Sequence, residues 1–62
     1  MKEADTIRFL DASDSDETVA IVRYDEKSVA VCLSKKSNGD IEVVMSKTDA
    51  KALLEALQKA IT

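Results

Sequence analysis

The chain has 62 residues, of which 45% are apolar, 34% charged and 3% aromatic, with one Gly, one Cys, no Pro, no His and no Trp. Such a composition is too apolar for disorder and too poor in Pro and Gly for a loop-rich or collagen-like chain, and its apolar runs fall far short of a bilayer span. Cys32 has no partner for an internal disulfide, a zinc site lacks its usual ligands, and a formal charge of −3 disfavours non-specific attachment to nucleic acid or anionic membrane.

The first stretch, residues 1–5, is charged and is expected to be a flexible end. It has acids where a signal peptide needs bases and a long apolar run, so no export signal is expected, and a free thiol then suits the reducing cytoplasm. Thr6–Leu10 is short and apolar-rich, which predicts a first strand that joins either its own sheet or that of another chain. Residues 11–18 form a polar acidic loop, since Asp and Ser bond to nearby backbone and favour turns. Residues 1–17 hold six acids against two bases, a net of −4, whereas residues 18–62 hold seven bases against six acids, a net of +1. Acidity therefore belongs to the N-terminal part.

Val19–Tyr24 is β-branched and apolar on both alternating sets, and Asp25–Lys27 reads as a turn. Ser28–Lys36 alternates more cleanly, with Val29, Val31 and Leu33 on one face and Ala30, Cys32 and Ser34 on the other. In Asp40–Met45 the residues Ile41, Val43 and Met45 share a face. A two-residue loop at Asn38-Gly39 would put these two apolar rows on opposite faces. A three-residue loop, Ser37-Asn38-Gly39, brings them together, with Lys36 opposite Asp40, Leu33 opposite Val43 and Val31 opposite Met45. The only Gly then takes the left-handed place and forms a bulge.

A helix is predicted from Lys47 onward, capped by Ser46 with Asp49 three residues later. Ala50, Leu53, Leu54, Leu57 and Ile61 fall within an arc of about 100°, so one apolar stripe is expected to cover one face of the sheet. The expected fold is α+β, an antiparallel sheet of three to four strands in ββββα order packed by one C-terminal helix, in a single domain.

Catalysis is not expected. Without His there is no Ser/His or Cys/His pair, the carboxylates lie in polar segments, and one Gly cannot build a phosphate loop. No cofactor and no metal are implied, because the acidic loop places Asp16 or Val19 where an EF-hand needs Gly, depending on the frame. Cys32 reads as a small apolar residue on the second sheet face. Ala52, Ala56 and Ala60 repeat every four residues beside the core arc. They read equally as a close helix–helix contact or as residues chosen for helix propensity.

The order of four strands and a helix, with Val22-Arg23-Tyr24-Asp25 running into a Lys-containing turn and then Val29-Ala30-Val31-Cys32-Leu33, resembles the transcriptional coactivator PC4 family. The last strand, Val43-Val44-Met45-Ser46, leading directly into a Leu-rich helix adds to the resemblance, which covers most of residues 6–61. It implies a dimeric single-stranded DNA-binding fold with Arg23, Lys27, Lys35 and Lys36, together with Tyr24, on the nucleic-acid side. The chain lacks the aromatic and densely basic strands of that family.

A chain this small buries only about 60% of its unfolded surface. With neither staple nor metal, a homodimer is the expected remedy. The second sheet face, consisting of Ala30, Cys32 and Val44 with either Ala20/Val22 or Val19/Ile21, is the expected interface, joined by Ala52, Ala56 and Ala60. The leading expectation is a cytoplasmic, non-enzymatic protein-interaction or regulatory module. Single-stranded nucleic-acid binding stands second, and no membrane partner is expected.

Overall fold

The β-branched middle segments do form the centre of a sheet. In the computed structural model, which describes all residues from Met1 to Thr62, four antiparallel strands lie side by side in chain order. They are β1 (Lys2–Leu10), β2 (Glu17–Tyr24), β3 (Ser28–Lys35) and β4 (Gly39–Ser46), and they lead into one helix, α1 (Lys47–Ile61). The architecture is the expected ββββα sheet with one C-terminal helix. No helix is long and apolar enough to cross a membrane.

Strand ends differ from the sequence reading where tertiary pairing decides them. β1 starts at Lys2 instead of Thr6, because Lys2 and Glu3 pair with Tyr24 and Arg23 and a register shift before Asp5 absorbs Ala4 as an extra residue. Residues 2–5 are thus an ordered strand end held by backbone bonds that their own propensities do not announce. Glu17 and Thr18, expected in the acidic loop, open β2, opposite Leu10 and Phe9. Thr18 is 6% exposed, and its hydroxyl donates to the Asp16 carbonyl at 3.1 Å.

The β3–β4 turn is also corrected. Three residues, Lys36 to Asn38, separate the strands, and Lys35 pairs with Gly39, Leu33 with Ile41, Val31 with Val43 and Val29 with Met45. This is two residues away from the predicted register, and because side chains alternate with period two the apolar rows still share a face. Gly39 has the expected left-handed backbone, φ +79°, but as the first residue of a regular ladder and not as a bulge. Asn38 N–H donates to the Lys35 carbonyl at 3.3 Å, closing the turn one residue earlier than Gly39.

The helix begins as predicted: the Ser46 hydroxyl accepts from Asp49 N–H at 3.1 Å, with Asp49 in the first turn and Lys59 in the last. It meets only β3 and β4, and Ala50 is its one residue drawn partly out of solvent. Leu53, Leu54, Leu57 and Ile61 remain exposed, Ile61 at 81%. The stripe expected to cover the sheet is therefore open. Strand passes to helix at Ser46–Lys47 with no connecting residue, where strand-to-helix connections commonly have roughly 2–6 residues.

Only two residues are buried, Thr18 and Ala30, the latter at 2% exposed. The radius of gyration, 12.5 Å, exceeds the roughly 11 Å of a compact chain of this length. A sheet and a helix are formed, but a core between them is not.

Candidate functional site

Alternation along the paired strands sorts the sheet into two unequal faces. One carries Ile7 and Phe9 of β1, Ala20 and Val22 of β2, Val29, Val31 and Leu33 of β3, and Ile41, Val43 and Met45 of β4. Its charges, Lys2, Asp5 and Lys35, stand at the margins. Ile7, Phe9, Leu33, Ile41 and Val43 are all exposed. This is the apolar face.

The opposite, mixed face carries Val19 and Ile21 with Ala30, Cys32 and Val44, so the choice left open on β2 falls to that pair. Along β3 its residues are all small, being Ser28, Ala30, Cys32 and Ser34. Across them the Arg23 guanidinium on β2 reaches the Glu42 carboxylate on β4 at 3.3 Å. Ala30 is buried within the chain itself and not available as contact surface, while Val44 stays 58% exposed. Cys32 is a free thiol, half-buried. Ala52, Ala56 and Ala60 are exposed along the helix.

The basic residues do not gather. Arg23 and Tyr24, being adjacent in β2, point to opposite faces, and Lys27 and Lys36 lie in turns at opposite ends of β3. Three of the four bases already have acids: Arg23 has Glu42, Lys36 has Glu17 at 3.1 Å, and Lys35 has two. The Lys47 ammonium lies over the Tyr24 ring, 5.5 Å from its centroid, so one face of the ring already has a cation against it.

Lys35 is the best-anchored of these. Its ammonium lies 2.6 Å from an Asp14 oxygen and 2.9 Å from one of Asp11, and Asp16 accepts from both the N–H and the hydroxyl of Ser37 at 3.1 Å. The acidic loop is thereby tied to the β3–β4 turn. Hydrogen bonds from Ser13 and then Lys35 hold the Asp11 carboxyl far below the usual carboxylate range. The Lys35 ammonium and then the Asp16 N–H lower Asp14, while Asp14 and then Asp11 raise Lys35 in turn. Two backbone N–H groups, of Lys27 and Ser28, lower Asp25 in the β2–β3 turn. These acids serve turns and a lysine, and no group of three or more His, Cys, Asp or Glu stands where it could hold a metal ion.

The largest cleft, about 610 Å³, opens between the N-terminus and the β2–β3 turn, and Lys2 and Lys47 line it together with Asp25 and Glu26. Mixed signs of charge on open walls give it no preference for anion or cation. The surfaces that stand out are the apolar face and the helix stripe. Sequence reasoning had both sets of residues but assigned them to each other within one chain, and the zero-length connection at Ser46–Lys47 was the available warning. Compared with protein-family models, curated proteins and solved structures, the chain matches none of them.

Proposed function

We propose that the chain works as a homodimer, a non-enzymatic protein-interaction or regulatory module. One quantity carries this reading. The chain exposes 4951 Å², against roughly 4,000 Å² for a folded monomer of its mass. The excess, roughly 1,000 Å², is about what each partner of a stable complex buries, and it is apolar sheet and helix surface of a kind monomers rarely leave wet.

Sedimentation velocity in the micromolar range tests the reading, with a dimer expected and a folded monomer overturning it. Nucleic-acid binding is the competing reading, and the pairing of Arg23, Lys35 and Lys36 with acids weighs against it. Fluorescence anisotropy with a labelled single-stranded oligonucleotide at two salt concentrations separates the two. A phosphate-binding protein would bind tightly and lose affinity steeply with salt, whereas the interaction module gives no such signal.

A further inference from the structure

Resting on the homodimer reading, we infer that the dimer is built by exchange: the Leu53/Leu54/Leu57/Ile61 stripe of each copy's α1 docks on the apolar sheet face of the other copy.

Four observations lead there. First, α1 does not cover its own sheet: it follows β4 with no connecting residue between Ser46 and Lys47, and Leu53, Leu54, Leu57 and Ile61 stay exposed. Second, one chain holds two unpaired apolar surfaces of complementary form, a rod with a single stripe and a sheet face with Leu33, Ile41 and Val43 open. A two-fold pair satisfies both at once, each copy giving its helix and receiving the other's. Third, the dimensions agree: 15 helical residues span about 22 Å at 1.5 Å each, and an eight-residue strand such as β3 or β4 spans about 26 Å at 3.3 Å each.

The fourth concerns the alternatives. Helix paired only with helix would bury two narrow stripes and leave the sheet face wet, although burial of even ~800 Å² per partner draws on about 20–30 residues a side. Docking on the mixed face would cover the Arg23–Glu42 pair and add the cost of desolvating both charges. The apolar face has its charges only at the rim.

Two single-cysteine proteins test the exchange, both in a Cys32→Ser background: one carries Leu57→Cys and the other Val43→Cys. Mixed and mildly oxidised, they should form the mixed disulfide in several-fold excess over either like pair. Excess of the Leu57→Cys like pair would mean helix against helix, and excess of the Val43→Cys like pair would mean sheet against sheet, and either overturns the inference. If a variant does not fold, the unchanged protein serves. Isotope-filtered NMR on a mixture of labelled and unlabelled copies should show contacts between the Leu57 methyls and those of Leu33 or Val43 across chains. A dimer without these contacts defeats the exchange but leaves the homodimer standing, while a monomer by sedimentation defeats both.

Discussion

Gly39 shows how much a single residue decides. Its φ of +79° lies in the left-handed region, while a Cβ added there would meet nothing within 4 Å. Gly39→Ala should therefore cost about 1 kcal/mol of stability through backbone strain alone, read by chemical denaturation, with the sheet otherwise intact. Ala30 is the opposite case, having free backbone but no space. Ala30→Val should lose about 1–3 kcal/mol by overpacking, because Ala30 is 2% exposed and the added methyls need room beside it. At Lys35 the effect is on pH dependence. Folding lowers Asp11 and Asp14 from 3.8, so their contribution is complete above that value and is lost progressively as pH falls from there through the lowered ones. Lys35 is raised from 10.5, so its share is complete below that value and fades only as pH rises past the raised one. The denaturation midpoint should accordingly begin to fall below about pH 5 and go on falling below about pH 3. Lys35→Met should shrink that fall without removing it, since Ser13 still holds Asp11 and backbone N–H groups still hold Asp25. An unchanged acid limb in the variant would mean that the clasp contributes nothing.

At the level of the elements, the two ends of legibility are α1 and β1. The helix was readable because its signals are local: Ser46 as cap, Asp49 in the first turn and an uninterrupted 3.6-residue pattern. Ser46→Ala removes the acceptor for Asp49 N–H and should cost the helix about 1 kcal/mol, seen as reduced far-UV helical signal and an earlier helix transition. The start of β1 was not readable, since Lys2 and Glu3 are strand residues only through backbone pairing with Tyr24 and Arg23. For the β3–β4 hairpin the alternation gave the shared face, but not which of two registers of equal parity would form. Bonds from Ser37 to Asp16, a residue of another hairpin, belong to the observed turn, and a sequence window around Gly39 does not contain them.

For the molecule as a whole, the question is where the core lies. Two buried residues out of 62 make a small core, and in the proposed homodimer stability should depend on association. The thermal midpoint should rise with protein concentration by mass action, and a midpoint constant across a wide dilution series would contradict a dimer. The amino-acid sequence by itself determined the element types, their order and the apolar rows, because propensity and alternation act between near neighbours. Only the tertiary structure decided that the Leu stripe of α1 and the apolar face of the sheet do not meet within one chain. Strand β4 passes into α1 without a single intervening residue, and in the chain alone the helix's leucines and the sheet's apolar row both stay open to solvent.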